Sequence, residues 1–275
     1  MSIYFIGDIH GCFKQLTNLL KKVSFNYNTD KLWVTGDLVS KGPDSIKVLK
    51  FLYNHKNSIK IVLGNHDLNL IRSFFEMILY PNKLNVFKKS YYHTKDFKDI
   101  IEWLRKQPLV RVSLEKKFII SHAGIPPHWD INLSQFYSKS IEKILSCNNY
   151  ERIFKILNLS NENQCNWNKN LEYYDKIKFA INSFTRMRYV IKDTNNLDLE
   201  YKNYPAEKYK NNLVPWFSIK NKLPDNFNII FGHWSNLNGK GTPKNFYAMD
   251  TGCCWGNKLT LLRWKDKKKF YEYFN

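Results

Sequence analysis

Seven polar residues stand where apolar runs of the chain end: Asp8, His10, Asp37, Asn65, His66, His122 and His233. Four of the seven histidines in the chain are among them, together with two aspartates and an asparagine. Imidazole and oxygen donors without a thiolate suit a mixed site for Mn, Fe, Co, Ni or Zn. A carboxylate can bridge two such ions, and a pair roughly 3.5–4 Å apart can clamp a phosphoryl group while activating a water. The chemistry these residue types point to is metal-assisted hydrolysis of a phosphate bond.

Each element of this pattern is weak alone. Gly-Asp after a strand is an ordinary turn, because both residues favour turns. A single histidine is usually a surface or satisfied core residue, and His55, His93 and His128 are read that way. The joint pattern is more specific. Gly-Asp-x-His-Gly (7–11), Gly-Asp-x-x-x-x-Gly-Pro (36–43), Gly-Asn-His-Asp (64–67), Ser-His-Ala-Gly (121–124) and Gly-His-Trp (232–234) each follow an apolar, strand-sized run.

The elements that must carry these motifs can be read from periodicity. Strands are predicted over 2–6, 31–35 and 58–63, with helices over 12–22, 44–53 and 68–79 between and after them. Strand, polar loop and helix alternate three times, which argues for a βαβ arrangement with functional loops at the C-terminal strand ends. A helix over 95–106 and a hairpin of 109–114 with 117–120 follow. Residues from about 130 to 190 read as helical, with an Asn-rich stretch at 158–170 expected to be exposed. Strands return at 228–231, 246–249 and 259–264. No repeat, long linker or low-complexity tail divides the 275 residues, so one domain with a helical insertion over 130–190 is expected.

Composition restricts the class. No apolar run approaches the roughly 20 residues of a membrane span. The N-terminal segment lacks the basic region and cleavage site of a signal peptide. Five cysteines, two of them adjacent and none in a CxxC pair, fit a reduced compartment, and the expected location is the cytoplasm. The net charge of +19 comes from 43 basic against 24 acidic residues, and only seven of the basic ones are arginine. Lysine, asparagine, isoleucine, phenylalanine and tyrosine all have AT-rich codons, so base bias accounts for much of the charge. A basic surface would also attract a polyanionic substrate.

The ordered motifs resemble those of calcineurin-like metallophosphoesterases, in the branch shared with phosphoprotein phosphatases. Later segments, Phe-Thr-Arg-Met-Arg (184–188), Pro-Trp-Phe (215–217), Gly-Lys-Gly-Thr-Pro (239–243) and Asp-Thr-Gly-Cys-Cys-Trp-Gly (250–256), are similar to those of the family's dinucleoside polyphosphate hydrolases. The resemblance implies an α/β (α+β) fold, a β-sandwich flanked by helices, which modifies the simple βαβ reading. It implies two divalent ions, Mn²⁺ or Co²⁺ first, with Fe, Ni or Zn as alternatives. Asp8 and His10 would bind the first ion, Asp37 would bridge both, and Asn65, His122 and His233 would bind the second. His66 would stand beside the scissile bond as general acid or charge stabiliser, making it, with Asp37, the catalytic pair. Lys41, Asn65, Arg186 and Arg188 would contact substrate. The implied partner is a dinucleoside polyphosphate cut symmetrically to two ADP, with capped RNA as an alternative and neither a membrane nor an obligate protein partner.

Two positions depart from the wider phosphatase pattern, where the second motif usually reads Gly-Asp-x-x-Asp-Arg-Gly. Here Ser40 and Lys41 replace the Asp and Arg. The missing Asp would orient and charge the histidine at position 66. Its loss weakens general-acid catalysis, which a serine alkoxide needs but ADP, with a terminal phosphate pKa of about 6, does not. Ser40 therefore favours an anhydride over a phosphoprotein. Lys41 supplies a point charge in place of a bidentate grip. At least one of Arg186 and Arg188 is expected to clamp phosphate, although two positions apart on a helix they would face different sides. Trp234, Trp255 or Trp264 could stack an adenine, with Trp264 favoured as core. Cys253 and Cys254 match the family pattern without an evident chemical role. The rivals are a protein phosphatase, an RNA-cap hydrolase and a non-catalytic nucleic-acid-binding protein.

Overall fold

A computed structural model describes residues 1–81, 95–159, 165–205 and 212–274. The first strand, β1 (Ile3–Ile6), shows how the layers arise. Successive side chains of a strand point to opposite faces. Phe5 enters one apolar layer with Val62, Phe118, Ile120, Ile230, Met249 and Leu262. Tyr4 and Ile6 enter the larger core on the other face. A strand buried on both faces must lie inside a sandwich.

Two sheets make that sandwich. The first runs β12-β11-β1-β2-β3, with β2 at Lys31–Val34, β3 at Ile59–Ile61, β11 at Lys258–Arg263 and β12 at Lys268–Tyr273. Its strands β1, β2 and β3 are parallel, and β11 is antiparallel to both β1 and β12. The second runs β10-β9-β5-β4, with β4 at Val110–Ser113, β5 at Phe118–Ser121, β9 at Asn228–Phe231 and β10 at Phe246–Ala248. Here β5, β9 and β10 are parallel. Between the sheets Phe5 meets Phe118 edge-on, with ring centroids 5.0 Å apart.

Parallel neighbours require crossovers, and helices supply them. Helix α1 (Phe13–Lys22) joins β1 to β2 and buries Leu16, Leu19 and Leu20, the three-to-four spacing of one helical face. Helix α2 (Ser45–Asn54) joins β2 to β3 through Val48, Leu49 and Leu52. Helix α3 (Asn65–Leu79) leaves β3, and α4 (Lys95–Leu104) precedes the β4–β5 hairpin. Helices α5 (Ile131–Ser146), α6 (Tyr150–Leu159) and α7 (Tyr173–Arg186) follow that hairpin, in the stretch predicted as a helical insertion. A small antiparallel sheet of β6 (Tyr189–Ile191), β7 (Leu197–Asp198) and β8 (Leu213–Pro215) comes next.

The sandwich flanked by helices is as the resemblance implied, and the predicted βαβ run survives as β1–β3. Three expectations need correction. Helix α3 begins at Asn65, not near 68, so Asn65 and His66 sit in its first turn after the N-cap Gly64. Strand β12 was not predicted, because Lys268–Tyr273 is a charged edge strand without a buried face. The β6–β8 sheet was not predicted either, since strands of two or three residues are too short for periodicity. Of the Asn-rich stretch, 160–164 lies outside the described residues, while Asn166, Asn168 and Asn170 are exposed as expected. His93 also lies outside them.

Candidate metal centre

Because β1, β2 and β3 are parallel, their C-terminal ends share one edge of the first sheet, and β5, β9 and β10 do the same in the second. The loops after five of these strands bring Asp8, Asp37, Asn65, His122 and His233 together. Asp8 is 2% exposed, Asp37 2% and His122 0%, so this is a buried cluster of charge. Nε2 of His122 lies 3.3 Å from Oδ2 of Asp37, and its Nδ1 lies 4.0 Å from Oδ1 of Asp8. Nε2 of His10 lies 3.5 Å from the same Asp37 oxygen. Oδ1 of Asn65 is 3.2 Å from Nε2 of His122.

The donor set fits metal ions, and the hydrogen bonds say how. Nδ1 of His10 lies 2.9 Å from the Val39 carbonyl, Nδ1 of His122 lies 2.8 Å from the Thr35 carbonyl, and Nε2 of His233 lies 3.1 Å from the Arg186 carbonyl. A carbonyl can only accept, so each of these nitrogens carries the proton and leaves the other nitrogen with its lone pair free. The lone pairs of His10 and His122 face Oδ2 of Asp37, which also only accepts. Ligand atoms of Asp37, His122 and His233 lie within 4.8 Å of one another, and so do those of His10, Asp37 and His66. Asp37 belongs to both groups, as a bridging ligand must.

Backbone geometry serves the same cluster. His10, Asp37, Ser40, Lys41 and His233 all have positive φ, between 44° and 72°. Side-chain-bearing residues held there concentrate at functional sites, because something else must offset the strain. Two motif glycines are required by close approach. A Cβ at Gly64 would collide with Oδ1 of Asp37, and one at Gly232 with Oδ1 of Asp8.

Electrostatics follow from burial. Burial, with Asp250 beside it, pushes the Asp8 carboxyl well above the usual range. Burial would do the same to Asp37, but His122, His10 and His66 outweigh it and hold that carboxyl well below the usual range. Burial opposes a charge on His122 too, yet Asp37 and Asp8 lift it to about 10. The field of Asp37 and Asp8 that lifts His122 is the same field that would draw a metal cation to the cluster.

The family model for calcineurin-like phosphoesterases matches residues 1–164. The chain is 47% identical over 275 residues to the symmetrical bis(5'-nucleosyl)-tetraphosphatase of Buchnera aphidicola subsp. Schizaphis graminum, covering 100% of this chain and 98% of the relative. It is 44% identical to the same-named protein of Proteus mirabilis, covering 99% and 97%. The chain belongs to the calcineurin-like phosphoesterase family. A solved structure described as a candidate diadenosine tetraphosphatase has the same fold, with a TM-score of 0.63 at 21% identity over 99% of this chain and 93% of that one. Membership implies divalent metal ions, which the donor set above can hold.

The phosphoesterase's candidate ligand cluster opens into a cavity of about 860 Å³. Lys41, Asn65, His66, Arg186 and Arg188 all line it, so every residue predicted to contact substrate or stand beside the reacting bond is on its wall. The expectation that Arg186 and Arg188 face different sides is overturned. Helix α7 ends at Arg186 and Met187 is extended (φ −61°, ψ 132°), which turns both arginines to the cavity. Arg188 also donates through Nη2 to the His233 carbonyl at 3.0 Å. The His66 ring packs edge-on against His10 at 5.0 Å, and its nitrogens donate to no carboxylate among the described residues. Burial lowers its pKa, with Asp37 opposing and His10, His122 and Lys41 adding to the effect. Trp234 is buried, and Trp264 is half-buried against the inter-sheet layer, the core role predicted for it.

Sequence reasoning missed two aspartates. Asp250, after β10, is 6% exposed and lines the cavity. Asp67 is fully buried, and its two oxygens accept from the backbone N–H groups of Leu38 (2.9 Å) and Gly64 (3.0 Å). The fourth position of Gly-Asn-His-Asp was the available signal for Asp67.

Proposed function

We propose that this phosphoesterase hydrolyses a phosphoanhydride in dinucleoside polyphosphates, cutting diadenosine tetraphosphate symmetrically into two ADP. The observation that carries the reading is full-length similarity, at 41–47% identity, to relatives named for that activity. The cavity is consistent in kind, since Lys41, Arg186, Arg188 and Lys202 surround it with positive charge suited to a polyphosphate.

In this reading Asp8, His10, Asp37, Asn65, His122 and His233 hold two divalent ions, with Mn²⁺ or Co²⁺ favoured and Fe, Ni or Zn compatible with the same donors. When bound, the ions supply Lewis acidity, neutralising a phosphoryl group and sharpening the acidity of a water. Arg186 and Arg188 grip phosphate oxygens, and Lys41 adds a third positive charge. Arg188 is fixed for this by its bond to the His233 carbonyl. His66 stands over the bond to be cut and stabilises the departing oxygen. With Ser40 in place of a carboxylate, His66 is a weak acid catalyst, which suits a leaving group as good as ADP.

The excess of positive charge favours a second substrate, RNA carrying a nucleoside-polyphosphate cap, because the bond chemistry is the same. The cytoplasm remains the proposed location. All five cysteines are free, and no described helix is long and apolar enough to cross a membrane.

Product analysis tests the reading. Diadenosine tetraphosphate with added Mn²⁺ or Co²⁺ is expected to yield ADP alone, and AMP plus ATP would refute the symmetrical cut. A capped RNA in parallel decides the second substrate. Turnover of a phosphoserine peptide as efficient as that of the dinucleotide would sink the argument from Ser40.

A further inference from the structure

The wall of the cavity carries an aromatic residue that the reaction has not used. All eight tryptophans lie within the described residues, and only Trp255 is mostly open to solvent, at 64% exposure. A solitary exposed aromatic is unremarkable in itself. Its setting is not ordinary, for three reasons.

First, Trp255 lines the same cavity as Asp8, His10 and Asp37. Second, its backbone is fixed by a defined turn. It ends a short 3-10 turn, Cys253–Trp255, bracketed by Gly252 and Gly256, whose φ angles of +70° and +82° suit glycine. The Trp255 N–H donates to the Gly252 carbonyl at 3.0 Å, and the Gly252 N–H donates to Oδ1 of buried Asp250 at 3.0 Å. These two bonds tie the Trp255 backbone to the buried Asp250 beside Asp8. Third, Nζ of Lys41 lies 5.5 Å from the centroid of the Trp255 ring. Ser40 and Lys41 are both in the left-handed region, so the backbone presents this ammonium by a fixed, unusual path.

We propose that Trp255 is the stacking platform for a nucleobase of the substrate, with Lys41 gripping the phosphate that leads to it. The inference rests on the anhydride reading above and deepens it by assigning a nucleoside subsite. A phosphate beside Lys41 leaves its nucleoside within one nucleotide's reach of the indole face. Stacking on an aromatic ring is tolerant of base identity, because every base has a π-face. Ser235, Asn236 and Asn257, polar groups on the same wall, can hydrogen-bond to sugar or base edges of several kinds. The subsite is accordingly one for a nucleotide in general, adenine and guanine alike.

The test compares ligands with and without a base on the Mn²⁺-loaded protein. Trp255→Ala is expected to raise KM for diadenosine tetraphosphate and weaken ADP binding, measured by calorimetry, by roughly 5- to 150-fold. Its kcat and its affinity for inorganic pyrophosphate should stay near those of the parent. Trp255→Phe keeps a π-face and should recover most of the lost ADP affinity. Equal weakening of ADP and pyrophosphate would overturn the proposal, since the loss would then be one of phosphate binding or of folding. Unchanged ADP affinity in Trp255→Ala would overturn it as well. If the parent protein fails to cleave the dinucleotide but binds ADP through Trp255, the anhydride reading falls and the platform stands. If it cleaves the dinucleotide with a KM indifferent to residue 255, the platform falls alone.

Discussion

His66 is held differently from the histidines around it. His10, His122 and His233 each have one ring nitrogen against a backbone carbonyl, which fixes both tautomer and orientation. The His66 ring has only its edge-on contact with His10 and the field of Asp37. A residue meant to ligate would be anchored, and one meant to meet a leaving group must stay available. His66→Ala should therefore lower kcat by about 10²-fold, near the low end for acid–base groups. Metal content, measured by elemental analysis, should be unchanged, and its loss would make His66 a ligand. The six expected ligands were legible in the chain because polar donors at the ends of apolar runs are rare in combination. Arg186 and Arg188 were legible by type but not by direction, since the helix end between them depends on Met187 leaving the helical region. Asp250 was legible only as the first residue of a motif after the strand at 246–249; its proximity to Asp8 exists only once β10 has paired with β9.

At the scale of elements, the centre depends on two loops from neighbouring strands keeping their spacing. The loop after β2 carries Asp37 and Leu38, and the loop after β3 carries Gly64 and the start of α3. Asp37 reaches across to accept the His66 N–H through Oδ1 at 2.9 Å. Asp67 reaches back to the Leu38 N–H while also holding the Gly64 N–H. The two carboxylates form a reciprocal clasp, with Asp37 in both the clasp and the candidate metal site. Asp67→Asn leaves one acceptor oxygen and turns an amide NH₂ toward a backbone donor. It should destabilise the protein by about 1–3 kcal/mol and weaken Mn²⁺ binding by roughly 10- to 100-fold. Urea unfolding and metal titration check the two effects, and a stability loss with unaltered Mn²⁺ affinity would reduce the clasp to a structural role. The motif order placed these loops correctly from sequence. The clasp was hidden because a side-chain bond to backbone N–H groups leaves no periodic signature, and because α3 was predicted to begin after Asn65.

The whole molecule shares one large apolar core, which runs from Tyr4 and Ile6 through α1–α3 to Trp129, Ile141 and Phe179 of the helical segment. The single-domain expectation thus becomes a claim about cooperativity: a perturbation in the helical segment should be felt in one unfolding transition. His128, read from sequence as an ordinary histidine, supplies that perturbation outside the candidate ligand set. Its ring lies among Trp129, Trp167 and Phe179, and neither ring nitrogen has a hydrogen-bond partner among the described residues. Burial, with Lys222 nearby, lowers its pKa from 6.5 to about 4. The folded state thus refuses a proton that the unfolded chain accepts between those values. Stability from this group is fully present above pH 6.5 and is lost progressively as the pH falls toward 4. His128→Gln has no such titration. Whatever stability the variant loses relative to the parent at pH 7.5 should therefore shrink at pH 5, when urea midpoints are compared. The parent should unfold in a single transition at both pH values. A gap independent of pH would show that His128 titrates normally, and two resolved transitions would separate the helical segment from the sandwich.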